Sequence, residues 1–213
     1  MFLRALYLRT TKYLQRHGLT SSVKRVWREA RNRSLYDRNV FFCRDLLQGG
    51  GESPALPDGC HVDRYDKMSE IPERLFKRIT EHYSEELIKG YFQKRFEKGG
   101  HLWCLRNDTE DIGYLWSIEG RSMKPHYYFP LTARDVHLDD GFIFPPHRGR
   151  GMFYVLNMHL FNYYRNEGFQ RVYQEVKEWN AASIRSAAKN GFVRICLAKK
   201  KIRGDKCKVT WWY

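Results

Sequence analysis

Arg148-Gly149-Arg150-Gly151 is the stretch of this 213-residue chain best suited to chemistry. Its two glycines let main-chain N–H groups approach an anion closely, and its two arginines add charge-assisted donors. The flanks give the pattern its meaning. An apolar run, Gly141-Phe142-Ile143-Phe144-Pro145-Pro146, precedes it, and a helical pattern from Phe153 to Glu167 comes after it. A strand that feeds a glycine-rich turn and then a helix builds a phosphate cradle, because the helix N-terminus adds partial positive charge. Metal and disulfide chemistry are poorly supplied. Cys43, Cys60, Cys104, Cys196 and Cys207 are scattered without a C-x-x-C pair, and Cys60-His61 has no second pair at ligand spacing. Neither a disulfide framework nor a metal site is expected.

Charge sets the class of partner. Thirty-eight Lys and Arg stand against 24 Asp and Glu, a formal +14, so the partners to weigh are nucleic acid, an anionic membrane and a phosphorylated small molecule. Residues 1–33 hold nine of the basic residues and one acidic residue, Glu29, so more than half of the excess lies in the first sixth of the chain. Within that stretch Leu3, Leu6, Tyr7, Thr10, Tyr13 and Leu14 share one helical face. A second helix capped by Thr20 or Ser21 would turn Val23, Val26, Trp27 and Ala30 inward. We read residues 1–35 as a basic helical extension and 36–213 as the working domain. The extension docks on the domain or joins two subunits in a dimer, or else lies on an anionic membrane surface. No apolar run approaches the ~20 residues of a membrane span and no signal-peptide pattern appears. The expected location is therefore the cytoplasm, membrane-peripheral where the extension makes that contact.

The elements that would hold the cradle are set by periodicity and punctuation. Val40–Cys43 and His61–Tyr65 read as strands. Ser69 ahead of Glu70, Ile71 and Pro72 reads as a capped helix start, with Ile71, Leu75, Phe76 and Ile79 on its stripe. A second helix runs from about Ser84 to Lys98, carries Leu87, Ile88, Tyr91, Phe92 and Phe96 inward, and stops at Gly99-Gly100. Strands at His101–Arg106, Ile112–Ile118 and Arg134–Phe144 come next, separated after the second by an aromatic loop at 125–130. After the cradle helix the pattern gives a strand at Gln170–Val176, a helix opening at Trp179-Asn180-Ala181-Ala182-Ser183 and closing at Asn190-Gly191-Phe192, and strands at Val193–Lys199 and Cys207–Tyr213.

Phe142-Ile143-Phe144-Pro145 with Arg148-Gly149-Arg150-Gly151 after it resembles the acetyl-CoA motif R/Q-x-x-G-x-G/A of the GNAT N-acetyltransferases. The order of elements from His61 onward is similar to that family's, and Asn180 with Gly191-Phe192 is similar to its second signature. The resemblance implies an α/β fold with a mixed, mostly antiparallel central sheet flanked by helices. It also implies acetyl-CoA as co-substrate, with no metal. On that reading the backbone of Phe142, Ile143 and Phe144 pairs with the cofactor's amide-bearing arm. The N–H groups from Arg148 through Gly149, Arg150, Gly151 and Met152 to Phe153 take the pyrophosphate, and Asn180 with Ser183 holds the arm from the other side. Two positions depart from the family pattern. Phe153 fills the motif's last small position, and Ala187 stands where many relatives carry a proton-donating tyrosine.

The activity implied by the resemblance is acetyl transfer to an amine acceptor within a ternary complex, and an amine must lose a proton to attack a thioester. Asp140, Glu119 and Glu175 are the candidate catalytic bases, with Asp139, His137 and Tyr173 behind them. Asp140 leads, because strand alternation puts it on the face of Phe142. An amino sugar is the acceptor class that the aromatic loop suits. A second reading stays open at this point: a non-catalytic basic module that keeps the fold and works on a membrane surface or nucleic acid. Nucleic acid ranks below both CoA and a membrane surface as the anionic partner.

Overall fold

The computed structural model describes residues 38–48, 55–81, 85–123, 130–203 and 206–212. The two basic helices expected within residues 1–35 and the aromatic run at 125–129 lie outside the described residues.

Among the described residues eight strands form a single sheet in the order β2-β3-β4-β5-β6-β1-β7-β8. They are β1 (Arg38–Asp45), β2 (Cys60–Tyr65), β3 (Gly100–Asn107), β4 (Asp111–Glu119), β5 (Asp135–Ile143), β6 (Arg171–Lys177), β7 (Val193–Arg203) and β8 (Lys206–Trp212). Among the described residues four α-helices cover it: α1 (Glu73–Thr80), α2 (Glu85–Glu97), α3 (Met152–Asn166) and α4 (Ala181–Lys189). The mixed, mostly antiparallel α/β architecture that the resemblance implies is the one observed. β5 and β6 are the one parallel pair among the described strands. Parallel neighbours need a crossover, and α3 supplies it.

Each face of the sheet carries its own core. On one, Ile71, Leu75, Ile79, Ile88 and Phe92 pack on Leu102, Cys104, Tyr114, Trp116 and Phe144. On the other, Leu156, Leu160, Phe161, Tyr164 and Ala187 pack on Phe42, Leu115, Val136, Leu138, Val172 and Val176. The period-2 alternation of β4, β5 and β6 sorts their side chains between these two cores.

Two local expectations are corrected. The start of α1 is not at Ser69. Met68–Glu70 forms a separate 3-10 turn, in which the Glu70 carboxylate accepts from the Asp66 and Lys67 amides at 2.7 and 3.2 Å, and Pro72 stands at the N-cap of α1. Proline disfavours helical geometry in the residue before it, so the chain restarts rather than continues. On α2, Tyr91 is exposed and Arg95 takes the buried position in the stripe with Ile88 and Phe92.

The strand read at Val40–Cys43 is central rather than peripheral. β1 pairs antiparallel with β6 through Asn39↔Lys177 to Asp45↔Arg171, and with β7 on its other side. A segment from the start of the domain thus stands between β6 and the β7–β8 pair.

Candidate acyl-CoA site

The segment expected to form the cradle has the strand–turn–helix form its composition implies. β5 ends at Ile143, one 3-10 turn spans Pro145–His147, and Gly151 forms the N-cap of α3. Gly149 and Gly151 have φ values of 77° and 76°, in the left-handed region that side-chain-bearing residues avoid. A Cβ at either would meet nothing within 4 Å, so the backbone there faces open space. No side chain caps α3, and its first helical bond runs from the Val155 amide to the Gly151 carbonyl at 3.1 Å. The amides of Met152, Phe153 and Tyr154 precede that bond and face the N-terminal end. A phosphate is the group such an end accommodates.

The turn is tied down from behind. His147 lies 3.2 Å from the Glu110 carboxylate, which also accepts from Arg78 at 3.3 Å, and Arg78 stacks on the Phe144 ring. Desolvation pushes Glu110 up, but His147 and Arg78 outweigh it and hold the carboxyl below its usual range. Glu110 is thus an anchor for the turn that no motif in the sequence marks.

Beside the cradle the sheet opens. β5 and β6 pair from Asp135↔Arg171 to Leu138↔Gln174 and no further. Past that point β5 continues from Asp139 to Ile143 along β4, and β6 continues from Glu175 to Lys177 along β1. The two strands therefore splay, and because they are parallel the N-termini of α3 and α4 stand at the same end, one on each side of the gap. Asn180 lies at the β6 side as the N-cap of α4, its Oδ1 accepting from the Ser183 amide at 3.2 Å.

A bulge marks the β5 wall. Asp139 faces Trp116 and Phe142 faces Tyr114, so Asp140 and Gly141 together oppose the single residue Leu115. Asp140 has φ 48°, the one positive value at a non-glycine residue among the described residues. The bulge resets alternation, so that Asp139 and Asp140 reach the same side and both accept from Arg95 of α2, at 2.6 and 3.2 Å. Alternation alone would have sent these neighbours to opposite faces. Gly141 has no room for a side chain: a Cβ there would lie 2.5 Å from the Phe153 ring and 2.9 Å from Leu115.

The expected site residues divide by position. Gly149, Arg150, Gly151, Met152 and Phe153 line the turn, with Asn180 and Ser183 across the gap. Arg148 folds back, its Nε donating to the Ile143 carbonyl at 2.8 Å and its guanidinium resting on the Phe142 ring. Phe142 is half-buried against Tyr114. Phe144 is buried, and its amide donates to the Ile112 carbonyl at 3.0 Å, so that N–H serves the β4 side rather than the gap. Glu175 is half-buried one residue past the last β5–β6 pair, on the far wall from Asp139. Glu119 is not part of this group. It pairs with Val136, about 10 Å back along the strands, and bonds Arg121.

A family model for the acetyltransferase (GNAT) family matches residues 65–192, well over half the chain. The protein belongs to the GNAT acetyltransferase family. Among solved structures, a tandem GNAT protein from the clavulanic acid biosynthesis pathway is similar at 17% identity and TM-score 0.56, over 75% of this chain and 51% of that one. A GCN5-related N-acetyltransferase from Sphaerobacter thermophilus is similar at 15% and 0.51, over 83% and 54%. A GNAT-family acetyltransferase from Colwellia psychrerythraea is similar at 10% and 0.52, over 74% and 52%. At such identities the likeness is one of fold, and the chain spans about half the length of these structures. No curated protein matches the chain significantly.

Within this GNAT domain both departures have a structural account. Phe153 is accommodated because Gly141 on β5 leaves its ring a flat surface to lie on. Ala187, on α4, is buried in the core shared with α3, and its methyl group supplies no proton donor. β1 falls outside the family match, yet it forms the support of β6. No group of His, Cys, Asp and Glu suited to a metal occurs among the described residues, and none of their helices is long and apolar enough to cross a membrane.

Proposed function

We propose that this GNAT domain transfers an acetyl group from acetyl-CoA to an amine. The observation that carries the reading is the splay of β5 from β6 immediately beside an open, uncapped helix start with two glycines at positive φ. The residues present fit the co-substrate. The amides from Gly151 to Tyr154 would hold the pyrophosphate, Arg150 adds charge, and the β5 edge past Leu138 offers backbone to the amide-bearing arm. Acetyl-CoA itself supplies an activated acyl carbon and a thiolate that leaves without needing an acid as strong as an alkoxide would, which suits a site with alanine at 187.

The register shift at Asp140-Gly141 interrupts the regular β4–β5 ladder, and we assign a main-chain amide of the bulge to the thioester carbonyl as an oxyanion donor. Glu175 is the base we favour, because it stands at the gap, half-buried and one residue past the last β5–β6 pair. In a ternary complex the amine lone pair forms the C–N bond, the C–S bond breaks toward sulfur, and Glu175 takes the ammonium proton directly or through a water. An amino sugar is the acceptor class we would test first, on the strength of the aromatic residues at 125–130.

Titration calorimetry with acetyl-CoA, and then an amine panel read by free-thiol release, tests this. Binding at millimolar or better, loss of at least tenfold in Gly151→Glu, and intact binding with suppressed thiol release in Glu175→Gln are the expected results. A parent protein that binds no acetyl-CoA at millimolar concentration would sink the reading.

A further inference from the structure

Arg95 is the feature that the acyl-transfer reading leaves unused. It is only 6% exposed, and a buried guanidinium is costly unless its donors are satisfied. Here they converge on one place. Nη2 donates to Asp139 Oδ2 at 2.6 Å and to the Tyr91 hydroxyl at 2.8 Å, and Nη1 donates to Asp140 Oδ2 at 3.2 Å. The guanidinium also packs on Tyr91 at 4.2 Å and on Trp116 at 5.1 Å from the ring centres. Trp116 is the residue of β4 that faces Asp139. The whole cluster therefore grips the β5 bulge from the α2 side.

The bulge needs such a grip. An aspartate in the left-handed region costs about 1–2 kcal/mol, and no glycine relieves it at position 140. Adjacent strand residues present both carboxylates to one cation only if the strand is bulged, so clamp and bulge require each other. A strained residue held by a buried fork, at the point where β5 loses its partner β6, is the arrangement of a functional site rather than of general scaffolding.

We infer that Arg95 is a positioning residue of the acyl-transfer site: by clamping Asp139 and Asp140 it fixes the bulge that aims a main-chain amide at the thioester carbonyl. The inference rests on the acetyl-CoA reading and names the residue that sets its oxyanion geometry. Lysine keeps the charge but not the planar fork, so Arg95→Lys should not substitute for it.

The test uses the full chain, CoA and [1-13C]acetyl-CoA. Infrared difference spectra of the bound thioester report carbonyl polarisation, and calorimetry compares the two ligands. The parent should shift the carbonyl band to lower wavenumber. Arg95→Lys should lose that shift and lose about fivefold in affinity for acetyl-CoA, the worth of one net hydrogen bond, while CoA binds within twofold of the parent. Should Arg95→Lys fail to fold, Asp139→Asn, on a half-exposed side chain, loosens the clamp from its other end and should give the same pattern. An unchanged carbonyl band in a folded variant, or equal losses for CoA and acetyl-CoA, overturns the inference and leaves the acetyl-CoA reading standing. A parent that binds neither ligand removes both.

Discussion

His137 sits in the last but one β5–β6 pair before the strands part, beside Tyr173 on β6 and Ile118 on β4. Burial pulls its imidazole down from 6.5 to about 4; the Asp139 carboxylate opposes the fall and Arg95 adds to it. An unfolded chain takes up this proton near pH 6.5, whereas the folded one does so only near 4. Between those values acid favours the unfolded state, so stability is fully present above the upper value and declines as pH falls through the window. The loss from this residue is at most about 3 kcal/mol. Thermal midpoints of the parent and His137→Gln at pH 7 and pH 4.5 measure it, and the parent should fall further than the variant. His137 was legible as a titratable group on the right strand, but its burial depends on α2 and β6, which no local pattern brings together. Arg95 was harder still. It lies at helical spacing from Ile88 and Phe92, yet charge argues for the solvent face, and only the carboxylates 44 and 45 residues further on reverse that argument.

At the scale of elements, most boundaries were legible because their signals are local. Gly99 ends α2 at φ 71°, and Asn180 caps α4 through the Ser183 amide. The cradle was legible for the same reason, being one strand–turn–helix in continuous sequence. The bulge was not, since its marker is an aspartate rather than a glycine and its cause lies on α2. Nor was the contact that makes Phe153 tolerable. The Phe153 ring lies across bare Gly141, so the missing Cβ on β5 is what makes room for the ring at the helix start. Gly141→Ala should therefore cost about 1–3 kcal/mol through overpacking. Gly141→Ala combined with Phe153→Ala should be less destabilised than the two single changes added together, with a coupling of at least about 0.5 kcal/mol in chemical denaturation. Additive losses would mean that Gly141 matters for its backbone and not for the ring.

At the scale of the molecule the charge and the sheet point to different parts of the chain. The basic excess of residues 1–33 lies outside the family match at 65–192, and so does β1. β1 nevertheless belongs to the site's architecture. Past Gln174, β6 leaves β5, and among the described strands Glu175, Val176 and Lys177 are held through Phe41, Val40 and Asn39 of β1. The far wall of the gap therefore stands because a strand from the start of the domain backs it, and no periodicity within either segment announces a pairing between residues some 130 positions apart. Val40→Pro tests the dependence. β1 is paired on both sides, so a proline there removes a ladder hydrogen bond whichever neighbour its N–H serves, and a carbonyl left bare in the core costs about 1–3 kcal/mol. If β1 only added stability, urea titration would register the loss while the folded fraction bound acetyl-CoA as the parent does. Because β1 backs Glu175 and the approach to Asn180, we expect acetyl-CoA affinity to fall at least tenfold under conditions where the variant remains folded by circular dichroism.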